Sequence, residues 1–129
     1  MKLPRILLVD DTPEILALCV EMLKAEYEIV GTARDGKSAI VEVELTTPDV
    51  VVLDISMPGL NGLQVARRLR NAGCRAAIVF LSADLELIAA ALDAGGSGFV
   101  IKTRIHSDLR MALKETLAGR VFVSDLEAS

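Results

Sequence analysis

Five side chains that could perform metal or phosphate chemistry each follow a short apolar segment of the chain. Short apolar segments of this kind are typical of buried strands. If the strands are parallel, their carboxyl ends meet at one edge of a sheet and bring these side chains together. The five are Asp10 and Asp11 after ILLV, Asp54 after VVVL, Ser82 after AIVFL and Lys102 after FVI.

Three carboxylates close together repel one another, so they call for a divalent cation or a raised pKa. Hard oxygen ligands without His or Cys favour Mg²⁺. A lysine and a hydroxyl beside that cation would complete a cradle for the oxygens of a phosphoryl group. One carboxylate could then attack phosphorus and become an acyl phosphate. Asp54 is the best candidate because the third strand should lie in the middle of the sheet.

Each of these residues also has a plainer interpretation when it is taken alone. Asp11 with Glu14 three residues later is typical of a helix capping box. Asp10 and Asp54 could be turn residues, Ser82 could cap a helix, and Lys102 could be solvated. The combination favours a site, since independent turn residues need not supply three acids, a hydroxyl and a base along one edge.

The elements that must position these residues form five strand-then-helix units. Such alternation requires right-handed crossovers, and it predicts a doubly wound α/β fold with an open five-stranded parallel sheet and helices on both faces. We predict strands at 6–9, 28–31, 50–53, 77–81 and 99–101, and helices at 13–25, 37–45, 63–71, 85–94 and 107–117.

Composition narrows the class of protein. The chain has 129 residues, 52% of them hydrophobic and 3% aromatic, which predicts one folded domain with an aliphatic core. The net charge of -4 divides into -6 for residues 1–65 and +2 for residues 66–129, so no basic nucleic-acid surface is expected. Cys19 and Cys74 lack metal or disulfide spacing, and no apolar stretch is long enough to span a bilayer. We expect a soluble, untargeted protein of the reducing cytoplasm.

Three secondary features complete the pattern. The fourth helix is apolar nearly all round, which indicates either a partner-binding face or alanines chosen for helix propensity. Arg67, Arg68 and Arg70 are interpreted as a solvated helix face. We expect residues 120–129 to follow the last helix without adding a new element.

Four spaced motifs together resemble the receiver domain of two-component response regulators, over residues 5 to 118. The implied fold is CheY-like, a flavodoxin-type sheet in the order 2-1-3-4-5. The motifs are Leu8-Val9-Asp10-Asp11, Leu53-Asp54-Ile55-Ser56-Met57-Pro58-Gly59-Leu60-Asn61-Gly62, Leu81-Ser82-Ala83 and Phe99-Val100-Ile101-Lys102.

The resemblance implies a role for each matching residue. Asp54 would be the phospho-acceptor, and Lys102 would bind the phosphoryl group. Ser82 would be the switch hydroxyl, and Phe99 the coupled aromatic rotamer. The Mg²⁺ ligands would be Asp10, Asp11, Asp54 and the backbone carbonyl of Ser56.

The implied function is a phosphorylation-dependent signalling switch rather than an ordinary enzyme. A histidine kinase or histidine phosphotransfer protein would supply the phosphoryl group, and the chain would catalyse its own phosphorylation and dephosphorylation. The fourth helix, fifth strand and fifth helix would then change to control homodimerisation or an effector.

The C-terminal end Leu117-Ala118-Gly119-Arg120-Val121-Phe122-Val123-Ser124 resembles LuxR/NarL-type transcription regulators. We therefore expect a receiver domain at 1–120 and a tail, or the start of a linker to an absent effector domain, at 121–129. DNA would be bound only through that effector, and no membrane contact is expected. The alternatives are a haloacid-dehalogenase-like phosphatase, disfavoured by the adjacent Asp10 and Asp11, and an adaptor receiver that works without phosphorylation.

Overall fold

The computed structural model describes residues 2–125, and a single parallel sheet lies at their centre. Its strand order is β2-β1-β3-β4-β5-β6, and every neighbouring pair is parallel. The strands are β1 (Arg5–Val9), β2 (Glu28–Ala33), β3 (Val50–Asp54), β4 (Ala77–Ser82), β5 (Gly98–Ile101) and β6 (Phe122–Val123). The helices are α1 (Pro13–Leu23), α2 (Gly36–Thr46), α3 (Gly62–Asn71), α4 (Ile88–Asp93) and α5 (Ile105–Leu117).

Each face of the sheet is covered by helices, because alternate strand residues point to opposite sides. Helices α1 and α5 pack on one face, where Val52 of β3 belongs to the same buried cluster as Leu16 and Leu109. Helices α2, α3 and α4 pack on the other face, where Leu53 belongs to the same buried cluster as Val65 and Ala91. Strand β3 is buried along its whole length between β1 and β4, so Asp54, its last residue, is buried at the carboxyl edge of the sheet.

The predicted fold class and the order 2-1-3-4-5 are confirmed, but the count of five strands is wrong by one. Phe122 and Val123 form a sixth strand, which pairs with Gly98 and Phe99 of β5. The expectation that residues 120–129 add no element is therefore wrong for the described part, whereas residues 126–129 lie outside it. A two-residue strand carries too little sequence pattern to be found by periodicity.

The fourth predicted helix is shorter than its apolar pattern indicates. Residues Leu85–Leu87 form a 3₁₀ turn. The Asp84 carboxylate caps the start of this turn by accepting a hydrogen bond from the Glu86 amide at 2.9 Å. Only Ile88–Asp93 is α-helical. Leu85 and Leu92 remain 38% and 36% exposed, so the apolar stripe is not fully covered.

The predicted capping box at Asp11 and Glu14 is wrong. The N-cap of α1 is Thr12, whose side chain makes no capping hydrogen bond, and Pro13 occupies the first helical position. Proline has no amide hydrogen to satisfy there, which lessens the need for a cap. The carboxylate of Asp11 is consequently not used to cap the helix.

The interpretation of Arg70 as a solvated residue is wrong. Its guanidinium donates to the carbonyl oxygens of Cys74 at 2.9 Å, Ala76 at 2.7 Å and Gly95 at 2.8 Å. These bonds join the end of α3 to the start of β4 and to the loop after α4. Arg67 and Arg68 are exposed, as predicted.

Within residues 2–125, the structure contains no helix with the length and hydropathy needed to cross a bilayer.

Candidate functional site

The carboxyl ends of four adjacent strands bring the sequence-predicted site residues to one edge of the sheet. The register pairs Val9 with Leu53, so Asp10 and Asp54 leave neighbouring strands at the same level. Asp54 itself pairs with Leu81, and Ser82 pairs with Ile101. Asp10, Asp54, Ser82 and Lys102 are thus ordered across β1, β3, β4 and β5, as the parallel arrangement predicted.

The three carboxylates form one cluster. Asp10, Asp11 and Asp54 each offer an oxygen within 4.8 Å of the other two. Asp10 and Asp54 are buried, and Asp11 is half-buried at the opening. Backbone amides support the two buried groups, since the Thr12 amide donates to Asp10 Oδ1 at 2.9 Å and the Ser56 amide donates to Asp54 Oδ1 at 3.2 Å.

The ammonium of Lys102 bridges the two buried carboxylates. Its Nζ lies 3.1 Å from Asp54 Oδ1 and 3.2 Å from Asp10 Oδ2. The side chain is 22% exposed, so the charge sits at the rim of the cluster rather than in solvent. Lys102 is therefore not the solvated lysine of the plainer interpretation.

The electrostatics of the cluster make the ionised form of Asp54 less favourable than it is in the unfolded chain. Burial raises the pKa of Asp54 to about 6, with repulsion from Asp10 adding to the effect and Lys102 opposing it. Burial lowers the pKa of Lys102, but its contacts with Asp54 and Asp10 outweigh that and leave the pKa raised. Lys102 stays charged at neutral pH, and it does not fully compensate the negative charge around Asp54.

Two buried oxygens of the cluster lack a hydrogen-bond donor among the described residues. They are Asp10 Oδ2, which has only the ion pair with Lys102, and Asp54 Oδ2. Buried carboxylate oxygens left in this state are costly unless a further positive group or donor is present. The donor set, made of hard oxygens without His or Cys, fits a divalent cation such as Mg²⁺.

Ser82 ends β4 next to the cluster, and Phe99 lies in β5 three residues before Lys102. The buried Ser82 hydroxyl accepts from the Asp84 amide at 3.0 Å and lies 3.3 Å from the Asp84 carbonyl oxygen. It does not cap the following 3₁₀ turn, since Asp84 does that. Phe99 is fully buried and pairs in register with Phe80. Ser56 is exposed, two residues after Asp54.

Sequence reasoning missed a second polar cluster close to the site. Asp108 on α5 accepts hydrogen bonds from Arg104 and Ser124, and both Asp108 and Ser124 are buried. The spacing of Arg104 and Asp108, four residues apart, is a recognisable helical ion pair. Nothing in the sequence pattern connects Ser124 to them, because that contact depends on the sixth strand.

Comparison with known protein families shows which family this chain belongs to. The model of the response regulator receiver domain matches residues 6–114. The chain belongs to the response regulator receiver family. As a receiver domain it is not a classical enzyme, and the haloacid-dehalogenase-like phosphatase alternative is set aside.

Similar receivers occur in transcription regulators. The positive alginate biosynthesis regulatory protein of Pseudomonas aeruginosa is 37% identical over 113 residues, covering 85% of this chain and 46% of the regulator. The nitrate/nitrite response regulator NarL of Escherichia coli K12 is 32% identical over 124 residues, covering 93% of this chain and 57% of NarL. The chain thus spans about half the length of these curated relatives.

The receiver fold is also found in a solved structure of a related protein. A two-component response regulator of the LuxR family from Aurantimonas sp. SI85-9A1 superposes with a TM-score of 0.88 at 31% identity. The match covers 94% of this chain and 89% of that one. The resemblance to LuxR/NarL-type receivers is confirmed.

Proposed function

We propose that this receiver domain is a phosphorylation-controlled switch in which Asp54 accepts a phosphoryl group from a histidine kinase or histidine phosphotransfer protein. One observation carries the proposal: Asp54 is buried at the centre of the sheet edge, bridged through Lys102 to Asp10, with its Oδ2 unpartnered among the described residues. A carboxylate kept in that position is opposed by burial and by repulsion from Asp10, whereas it is well placed as a nucleophile.

The reaction would be a transfer between a donor histidine and Asp54. An oxygen of Asp54 attacks phosphorus, the P–N bond to the donor imidazole breaks, and its electron pair remains on the departing ring. Lys102 would then hold a phosphoryl oxygen instead of bridging two carboxylates, and its charge would offset the charge added there. The chain would thereby catalyse its own phosphorylation. Attack by water on phosphorus would later break the bond to the Asp54 oxygen, release inorganic phosphate and return Asp54 to a carboxylate.

We propose that Asp10, Asp11, Asp54 and the backbone carbonyl of Ser56 hold Mg²⁺. The support is the cluster of three carboxylates within 4.8 Å, together with the two buried oxygens that lack donors among residues 2–125. When bound, the cation supplies Lewis-acid stabilisation of phosphoryl oxygens. The carboxylates that bind the cation would balance its positive charge, and their arrangement would orient Asp54.

The switch would act through Ser82 and Phe99. Phosphorylation adds charge and acceptor oxygens at one point, which would draw the Ser82 hydroxyl away from the backbone of Asp84. The space it leaves would alter the packing of Phe99 and of the surface formed by α4, β5 and α5. This surface carries exposed apolar side chains, including Leu92 and Met111, and could support a homodimer.

The output proposed is regulation of transcription through an effector domain outside this chain. The support is that the curated relatives are regulators about twice as long as this chain. We also propose a cytoplasmic location, which suits the two free cysteines Cys19 and Cys74. We further propose that residues 1–120 are the receiver, and that 121–129 are a tail or the start of the linker.

The proposal is tested by incubating the chain with Mg²⁺ and a small acyl or amido phosphodonor, followed by intact-mass measurement. Wild type should gain one phosphoryl group, and Asp54→Asn should gain none. Asp93→Asn, which removes an exposed acid at the end of α4, is the matched control and should behave as wild type. Elution volume with and without beryllofluoride reports the homodimer.

Two outcomes would overturn the proposal. If wild type gains no phosphoryl mass and does not respond to beryllofluoride, the chain is an adaptor receiver that works without phosphorylation. If Asp54→Asn is labelled as well as wild type, the nucleophile is a different residue.

A further inference from the structure

A buried polar cluster on the C-terminal side of the site joins the end of β5, helix α5 and the residue that follows β6. Ser124, directly after β6, donates its hydroxyl to Asp108 Oδ2 on α5 at 2.7 Å. The same hydroxyl accepts the amide of Ile101, at the end of β5, at 3.1 Å. Asp108 also binds Arg104, with Nε 2.9 Å from Oδ2 and Nη2 3.3 Å from Oδ1. We call Arg104, Asp108 and Ser124 the C-terminal network.

The C-terminal network holds the backbone on both sides of Lys102. Ile101 is the residue before Lys102, and its amide is held by Ser124. Arg104 is the last residue of the short 3₁₀ turn Lys102–Arg104, and its guanidinium is held by Asp108. The ammonium of Lys102 reaches the carboxylates of the candidate site from this turn. Its position therefore depends on bonds made outside that site.

The Asp108 carboxylate accepts hydrogen bonds from several side chains of the network and its surroundings. Ser107 adds a third donor, 3.1 Å from Asp108 Oδ1. Burial raises the pKa of Asp108, but the hydrogen bonds from Arg104, Ser124 and Ser107 outweigh it and leave the pKa lowered. Asp108 is thus ionised at neutral pH, and its charge-assisted bonds are of the stronger kind.

The network also fixes the chain that leads away from β6. The Ser124 amide donates to the Phe99 carbonyl oxygen at 2.8 Å, so Ser124 contacts the backbone at both Phe99 and Ile101. With only two residues, β6 has few bonds of its own to keep it in place. Ser124 therefore contributes a large share of what attaches this segment to the sheet.

We propose that Ser124, with Asp108 and Arg104, is a positioning residue for Lys102, and that the attachment of residues 122–124 is coupled to phosphoryl binding at the site. The inference rests on the proposed function of Asp54 and Lys102. If the attached segment strengthens phosphoryl binding by some factor, phosphoryl binding strengthens the attachment by the same factor. The attachment of residues 122–124 is then linked to the state of Asp54.

The first test measures the affinity of the full chain for beryllofluoride with saturating Mg²⁺, by calorimetry. Ser124→Ala should bind about fivefold more weakly than wild type, the low end of typical coupling between sites. Ser38→Ala is the matched control, because that hydroxyl also donates to an aspartate, Asp35 Oδ2 at 3.1 Å, but at the start of α2. It should bind as wild type does. Asp108→Asn should weaken binding in the same direction as Ser124→Ala.

The second test uses wild type alone, so it does not depend on any variant folding. Amide hydrogen exchange at Ile101 and Ser124 should slow by about the same factor when Mg²⁺ and beryllofluoride bind. A role confined to stability would lower the unfolding temperature of Ser124→Ala and leave this ligand-dependent change absent.

The outcomes separate the two proposals. If wild type binds beryllofluoride but Ser124→Ala binds as tightly as Ser38→Ala, or the two amides exchange at unchanged rates, the coupling is disproved and the function of Asp54 stands. If wild type binds no beryllofluoride, the proposed function fails, and the coupling fails with it.

Discussion

At the scale of single residues, Asp54 occupies a position where burial opposes its charge. Its carboxylate is 0% exposed, and the nearby Asp10 carboxylate adds repulsion that Lys102 only partly offsets. Folding therefore favours the protonated form of Asp54, because the unfolded chain ionises it at an ordinary pKa. A raised pKa of this kind in a buried carboxylate is expected at a functional position.

The first prediction follows from this raised pKa. The folded pKa, about 6, exceeds the unfolded one, so the folded state binds more protons and loses stability as the pH rises from about 4 to about 6. Asp54→Asn, studied with a chelator present, should therefore stabilise the protein more at about pH 7.5 than at about pH 4.5. The difference should be about 2 kcal/mol in the free energy of unfolding.

Urea unfolding at the two pH values measures it. Asp93→Asn, at an exposed site, is the control variant and should change the free energy of unfolding little. A destabilising effect of Asp54→Asn at the higher pH would mean that Lys102 more than compensates the buried charge.

The convergence of the five polar residues could be predicted from sequence because it depends only on strand ends in a parallel sheet. The role of Asp11 as a helix cap could not be decided that way, since Asp-x-x-Glu is a capping pattern in many other chains. Thr12 and Pro13 begin the helix instead, and Asp11 joins the cluster. The contact between Ser124 and Asp108 could not be predicted. The two residues are sixteen positions apart, and their contact depends on a strand of only two residues.

At the scale of elements, helix α3 is held directly against the end of β3. Gly62 is its first residue, and a methyl group there would lie 2.8 Å from the Ile55 Cα and would overlap the Asp54 carbonyl oxygen. The Gly62 amide donates to the Ile55 carbonyl oxygen at 2.8 Å. Only glycine lets the helix begin so close to the backbone that carries Asp54.

The second prediction concerns this contact. Gly62→Ala should cost more than about 2 kcal/mol in unfolding free energy, because backbone must move to admit the methyl group. It should also weaken Mg²⁺ binding, since Asp54 moves with that backbone. Gly73→Ala is the control: it has open space around it but a φ of +86°, so we expect a cost of about 1 kcal/mol and unchanged Mg²⁺ binding.

Denaturant unfolding and Mg²⁺ titration of both variants test this. Equal losses of stability for Gly62→Ala and Gly73→Ala, with Mg²⁺ binding unaffected in both, would contradict the proposed contact.

Elements with a strong pattern were predicted and those without one were not. The existence of β1 to β5 follows from the alternation of strands and helices, and their order follows from the resemblance to receiver domains, whereas β6 needed tertiary contacts to be identified. Alanine-rich sequence predicted a long fourth helix, but Asp84 caps a 3₁₀ turn first and leaves α4 with six residues. Local hydrogen bonding decided the outcome there, and helix propensity did not.

At the scale of the whole molecule, the charge of the chain is unevenly placed. Its net charge is -4, and three of its acids meet at one edge of the sheet. Their mutual repulsion lowers the stability of the fold unless a cation is bound there.

The third prediction is that Mg²⁺ stabilises the whole fold by mass action. At about a hundredfold excess over its dissociation constant, the gain is about 2.7 kcal/mol. For a chain of this length that raises the unfolding temperature by about 10 °C. Asp11→Asn should abolish most of this shift, because it removes one of the three carboxylates.

Calorimetric scans with Mg²⁺ and with a chelator measure the effect. Glu14→Gln, an exposed acid in the first turn of α1, should leave the shift intact. An equal shift in wild type and Asp11→Asn would place the cation elsewhere.

The central claim, that Asp54 is the phospho-acceptor, is tested most directly by locating the phosphoryl group. The chain is phosphorylated with a small donor and Mg²⁺, the acyl phosphate is reduced with borohydride, and peptides are sequenced by mass spectrometry. The account predicts that the aspartate at position 54 alone is converted to homoserine. Conversion at Asp10 or Asp11, with Asp54 intact, would contradict it.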